Sequence, residues 1–246
     1  MQVEVCATSL LSVKNAAAAG ADRAELCAAY SLGGLTPSYG LTHAAVALGS
    51  IDVHCLIRPR AGHFCFDSDE LEEMLADIRM VREAGAQGVV LGALTTDLQL
   101  DLGALKAMVA EAGDMALSFH RAFDWVVHPQ TALQQLWDLG FRRILSSGGA
   151  ETAFEGLEVL KNWQAAAPEG FEFQPGGGVN LQNCTSFQAA GFSCIHLSGY
   201  RSSPPIRFTG IYPKNDPFAG QSVGHSDMAI IKAVVDRIKG ITSSLR

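Results

Sequence analysis

Short segments in which apolar and polar residues alternate recur along the chain. Between them lie segments with apolar residues three and four apart. Val3 and Val5 fall on one face of a strand at residues 3–6, Glu4 and Cys6 on the other. Thr8 or Ser9 then caps an alanine-rich helix that stops at Gly20. Residues 23–27 repeat the first pattern, with Ala24 and Leu26 opposite Glu25 and Cys27. A helix is expected at 41–48 and a strand at 53–58, ended by Pro59. Asp67 and Glu70 have the spacing of a helix cap and its reciprocal partner. The helix they open carries a stripe of Leu71, Met74, Leu75, Ile78 and Val81 and ends at Gly85.

The second half continues the alternation. Strands are expected at 88–92, 115–120, 143–147, 171–174 and 194–198. The helices between them use Leu105, Met108 and Val109, then Leu133, Leu136 and Trp137, then Leu157, Leu160 and Trp163. Pro129 stands where a first helical residue belongs. A seventh helix is read from near Asn180 to Gly191, and the last at 226–239 after an irregular loop at about 199–225.

Eight strand–helix units in strict order predict a single-domain α/β (β/α)8 TIM barrel over residues 1–246. Gly20, Gly85, Gly140 and Gly191 each introduce a strand in the same way, which fits four double units. A doubly wound open sheet is the rival, and it is weaker because no strand reads as an edge.

In a barrel the alternate residues point inward, and the site lies at the C-terminal ends of the strands. That places Glu4, Cys6, Glu25, Cys27, His54, Leu56, Arg58, Ser118, His120, His196 and Ser198 inside, with Ser146 or Ser147 and Gln174. Barrels ordinarily fill this space with branched aliphatics. So many polar groups are costly to bury unless they satisfy one another. A structural ion-pair network of Glu4, Glu25 and Arg58 explains the lower positions. Binding or catalysis explains the strand tops.

Composition adds bounds. The chain of 246 residues has a net charge of −7 and no basic run, which gives nucleic-acid binding little support. No apolar run approaches the roughly 20 residues of a membrane span. The sequence passes straight into a strand without a signal-like core, so the cytoplasm is expected. The six cysteines make no CxxC spacing and read as free thiols in that compartment.

Several strand ends carry chemistry. Cys6 and Cys27 end neighbouring strands, so a soft Cu(I) site is one reading and two small buried residues the other. An arginine-rich mouth would favour their thiolates. Arg58 and Arg60 form a candidate anion clamp. In SFHRAFD at 118–124, His120 is a candidate acid/base beside Arg121 and Asp124. Gly177 and Gly178, after strand seven, and Ser198, after strand eight, are placed to hold a phosphate or carboxylate.

The blocks EVC at 4–6, GADRAELC at 20–27, GGLTPSYG at 33–40, IRPRAGHFCF at 57–66, SFHRAFD and PGGGV at 175–179 resemble the CutC family, described as copper-homeostasis proteins. The resemblance runs from strand one to strand eight. It implies a TIM barrel, a cytoplasmic location, self-association as a homodimer or higher homo-oligomer, and Cu(I) binding attributed to Cys6 and Cys27. The stretch 199–224, with Pro204-Pro205 and Asn215-Asp216-Pro217, departs from the family pattern. Among the other thiols, Cys65 is the candidate for a further metal contact.

Two functions follow. One is a Cu(I)-binding protein on Cys6 and Cys27. The other is an enzyme of lyase or isomerase type acting on a small anionic or phosphorylated metabolite. His120 would then be acid/base, Glu25 a second carboxylate and Arg58 with Arg60 the clamp. No lysine ends a strand, which argues against Schiff-base chemistry. A non-catalytic oligomerising scaffold would not need a polar interior.

Overall fold

The computed structural model describes residues 1–203 and 223–240. β1 (Gln2–Ala7) leads into α1 (Leu10–Ala18), whose first turn is closed by the Ser9 hydroxyl. β2 (Arg23–Leu26), α2 (Tyr39–Val46) and β3 (Asp52–Leu56) follow. α3 (Ser68–Glu83) begins with the expected reciprocal cap between Asp67 and Glu70, and buries Met74, Ile78 and Val81. The order continues with β4 (Gly88–Leu91), α4 (Leu102–Ala112), β5 (Ala116–Phe119), α5 (Pro129–Asp138), β6 (Arg143–Ser146) and α6 (Leu157–Ala166). β7 (Glu172–Pro175), α7 (Cys184–Ala189) and β8 (Cys194–Leu197) complete the barrel strands.

The strands are parallel and run in the order β7-β6-β5-β4-β3-β2-β1-β8. A single parallel bridge between Gly176 and His196 joins the two ends of that order. This is the (β/α)8 barrel read from the sequence. The outward faces are apolar and fully buried: Val3, Val5, Ala24, Val53, Val89, Phe119, Ile144, Phe173 and Ile195 all pack under the helices. Around β5 to β7 the packing is aromatic, with Phe123 edge-on to Trp163 and Phe173.

Three expectations are corrected. α2 starts at Tyr39, two residues earlier than read, because Ser38 supplies the cap. α7 spans only Cys184–Ala189, because Asn180 and Asn183 spend their side chains on a turn with Gly178. The 199–225 stretch is not wholly irregular: β9 (Tyr200–Ser202) pairs antiparallel with β10 (Gly224–Ser226) before α8 (Met228–Lys239). Pro204-Pro205 and Asn215-Asp216-Pro217 lie outside the described residues. Among the described residues no helix is long and apolar enough to cross a membrane.

Two glycines, one on β4 and one just past it, prepare the interior. Gly88 faces His54 from β3, and Gly92 faces His120, just past β5. A Cβ at either position would overlap the imidazole. The missing side chains let both rings lie against the strand.

Candidate functional site

The register of β1 builds the lower interior. Glu4 pairs across the ladder with Arg23 on one side and His196 on the other. Its carboxylate takes the Arg23 guanidinium, the Gln174 amide at 2.9 Å and His196 Nδ1 at 2.8 Å. Burial opposes its charge, but Arg23 and His196 outweigh that and hold Glu4 well below the carboxylate range. The expected pairing of Glu4 and Glu25 with Arg58 is therefore corrected: the cation is Arg23, an inward residue at the start of β2. Nearby, Arg143 binds Glu172 at 2.9 Å and reaches Ser118.

Above this layer opens a pocket of about 520 Å³ at the C-terminal ends of the strands. That is room for a small organic molecule. Its walls include Cys6, Glu25, Cys27, Arg58, Phe64, His120, Arg121, His196, Ser198 and the run Gly176–Gly178. Glu25 lies 3.7 Å from His196 Nδ1, which thus stands between two carboxylates. Burial pushes Glu25 up to about 7, and the Glu4 charge adds to that. Burial works against an imidazolium at His196, but Glu25 and Glu4 together raise its pKa.

The two cysteine sulfurs touch at 3.5 Å and share a small apolar cluster with Leu56 and Val90. The charged groups that act on Cys6 are carboxylates. The Cys6 thiol is pushed well above its usual value by its contact with Cys27, by burial and by Glu25 and Glu4. Cys65 is outside the pocket lining and its thiol points to the Thr95 carbonyl at 3.2 Å.

The two arginines of the expected clamp part company. Arg58 stays at the pocket, its guanidinium held by the carbonyls of Leu32, Gly34 and Gly62 at 2.9 Å each. Arg60, after the Pro59 turn, is drawn away to Glu70, the cap partner of α3, and is not in the pocket wall. The cation the sequence reading left out of the clamp is Arg121. Asp124 and Ser147 fix it at 2.9 and 2.6 Å, and its Nη1 faces Gly177. Of the two serines left open, Ser147 makes this contact, while Ser146 bonds Asp124 and Leu145 lines the pocket.

Gly177 and Gly178 have φ of +108° and +74°, a backbone that glycine adopts without strain. No described residue accepts from the N–H groups of Gly177, Gly178, Ser198 or Gly199. Together with Arg121 they make a cradle of donors from the β7 and β8 loops, where barrels of this kind hold phosphate.

Fold and site thus define a (β/α)8 barrel protein with a polar, metabolite-sized pocket at the strand ends. The CutC family pattern matches residues 1–201, and the chain belongs to the CutC family. It is 40% identical over 238 residues to a CutC family protein of Pasteurella multocida, covering 95% of this chain and 97% of that one. Its fold is similar to a solved CutC from Streptococcus agalactiae described as a copper homeostasis protein, with a TM-score of 0.76, 32% identity, and coverage of 80% and 97% of the two chains. A solved aldolase with a TM-score of 0.64 and 14% identity, covering 95% of this chain and 90% of its own, shares the fold alone.

Proposed function

We propose that the pocket binds a small anionic metabolite, of the phosphorylated carbonyl class, and moves a proton next to its carbonyl. The observation that carries this is the pocket itself: a 520 Å³ space with an acid–base pair on one wall and a donor cradle on another. A bare metal ion does not need that volume. In this reading the N–H groups of Gly177, Gly178 and Ser198, with Arg121, hold the anionic end. Glu25 takes the proton from the carbon beside the carbonyl, leaving an enolate, and returns it to that carbon or its neighbour. His196, held between Glu4 and Glu25, keeps the Glu25 carboxylate in place.

The test is proton exchange. Phosphorylated aldehydes, ketones and 2-oxo acids are incubated with the full chain in D2O and followed by NMR. Deuterium incorporation by wild type that disappears in Glu25→Gln supports the reading. No exchange with any compound of the class removes it.

A second reading is favoured by the sulfur contact. Cys6 and Cys27 offer two soft donors in an apolar recess, a donor set that suits Cu(I). Copper would be cargo there, in keeping with the Streptococcus agalactiae relative's description. Anaerobic competitive titration of wild type against a Cys6→Ser/Cys27→Ser variant tests it. Tight one-to-one binding that vanishes in the variant supports copper, and binding that survives would leave these thiols without that role. Cytoplasmic location and self-association belong to the same proposal. The exposed Trp125, Phe154 and Tyr39 side chains are apolar surface that a second copy would cover.

A further inference from the structure

Two buried donors in the pocket wall lack partners. His120 is 4% exposed, and its Nε2 meets no acceptor; Arg58 is 7% exposed, and its Nε meets none. The tautomer of His120 is set by its backbone. Its Nδ1 accepts the Ala122 N–H at 3.1 Å, so the ring proton sits on Nε2 and the lone donor is an N–H. Arg58 also differs from the other arginines of the barrel interior. Arg23 and Arg143 each face a carboxylate, whereas Arg58 meets only carbonyl oxygens among the described residues. A positive charge is therefore left uncompensated beside an unpaired N–H.

The Phe64 ring covers both groups. Its centroid is 4.8 Å from that of the His120 ring and 5.2 Å from the Arg58 guanidinium carbon. Phe64 belongs to the loop after β3 and is only partly buried. A buried donor left unpaired loses its hydration without a bond in return. That cost disappears when a ligand oxygen takes the place of the ring face.

We propose that His120 Nε2–H and Arg58 Nε–H form an oxyanion site, roofed by Phe64, for the carbonyl or carboxylate oxygen of the bound metabolite. The inference rests on the metabolite reading of the pocket and adds the group that receives the charge. As Glu25 takes the proton, the C–H electron pair becomes part of the enolate and the negative charge moves onto oxygen. His120 and Arg58 hold that oxygen through their N–H donors, and neither gives up its proton. His120 is thus an electrophile and not the acid/base that its place in the sequence suggests. Burial, with Arg58 adding to it, pushes the imidazole down to about 3, which keeps the ring neutral around pH 7.

The probe is 2-phosphoglycolate, a carboxylate beside a phosphate, with inorganic phosphate as the companion ligand. Long-range proton–nitrogen NMR of the 15N-histidine-labelled full chain reads the His120 ring directly. The expected result is a single Nε2–H tautomer from about pH 5 to 8. Phosphoglycolate should move the Nε2–H proton downfield without protonating Nδ1, and inorganic phosphate should leave it in place. In calorimetry, His120→Phe should weaken phosphoglycolate at least about tenfold and phosphate by less than about twofold. If both ligands bind in the pocket and the His120 signal does not move, the oxyanion site is wrong and the pocket reading stands. If neither binds, the pocket reading falls and this inference falls with it. The wild-type spectrum decides the matter even where a variant fails to fold.

Discussion

The lower and upper halves of the barrel interior are both polar, yet they are built differently. In the lower half cations and carboxylates face one another: Glu4 with Arg23 and His196, Arg143 with Glu172. In the upper half Arg58 meets only carbonyls among the described residues, His120 keeps an unpaired N–H, and Gly177, Gly178 and Ser198 keep free backbone donors. The lower cations are each neutralised by a carboxylate, although Arg23 Nη2, His54 Nδ1 and Arg143 Nε are buried without a hydrogen-bond partner among the described residues. The unpaired upper donors belong to residues that line the pocket, where a ligand can reach them. The boundary lies at Glu25 and His196, which touch both halves.

The sharpest way to break the comparison is to cut the lower network. Glu4→Ala leaves Arg23 buried without its carboxylate, and should cost about 3–5 kcal/mol in urea unfolding. A cost under about 1 kcal/mol would show that the lower half is not what holds the interior together.

Next in size is Gly92→Ala. Its Cβ would overlap the His120 ring, so a loss of about 1–3 kcal/mol is expected together with a displaced imidazole. Urea unfolding reads the first effect and the His120 NMR signal the second.

The pH dependence of stability sharpens the account further. His54 and His120 are pushed down to about 4 and about 3, chiefly by burial. Below about 6.5 the unfolded chain gains protons there that the native protein refuses, so stability falls as pH falls. Glu25, up at about 7, acts in the opposite sense: above 4.5 the native protein holds a proton that the unfolded chain has lost. Glu4 stays ionised and His196 stays protonated in both states over this range. These interior groups then leave one net proton, a slope of about 1.4 kcal/mol per pH unit around pH 5–6, stability rising with pH. His120→Phe should flatten it. Chemical unfolding at several pH values measures both.

The smallest effect is expected at the thiols. Cys6→Ser/Cys27→Ser keeps size and burial in a cluster of few residues, and each substitution should change stability by less than about 1 kcal/mol. A larger loss would make the pair structural and not part of the upper set.

Much of this was legible in the sequence because strand alternation is local. Glu4 with Cys6, and Glu25 with Cys27, announced an interior of unusual polarity, and eight units with glycine stops announced the barrel. What failed depended on register and direction. The partner of Glu4 is set by the β1–β2 ladder, which brings Arg23 opposite it, while Arg58 lies past the C-terminal end of β3. Arg60 looked like a twin of Arg58, but the Pro59 turn and the acidic cap residue Glu70 carry it elsewhere. The phase of β6 was ambiguous because serines occupy both faces, at Ser146 and Ser147. His120 was legible as a pocket residue, but the Ala122 contact that fixes its ring proton was not, since it belongs to a turn. One signal was available and unused: Gly88 and Gly92, four apart on an apolar strand, mark room left for large neighbours.

The measurement closest to the central claim is a crystal structure of the full chain grown with 2-phosphoglycolate. The account predicts the phosphate against Gly177, Gly178 and Arg121, the carboxylate at His120 and Arg58, and the Phe64 ring displaced. A pocket without the ligand at saturating concentration, or a carboxylate turned away from His120 with Phe64 unmoved, would contradict it.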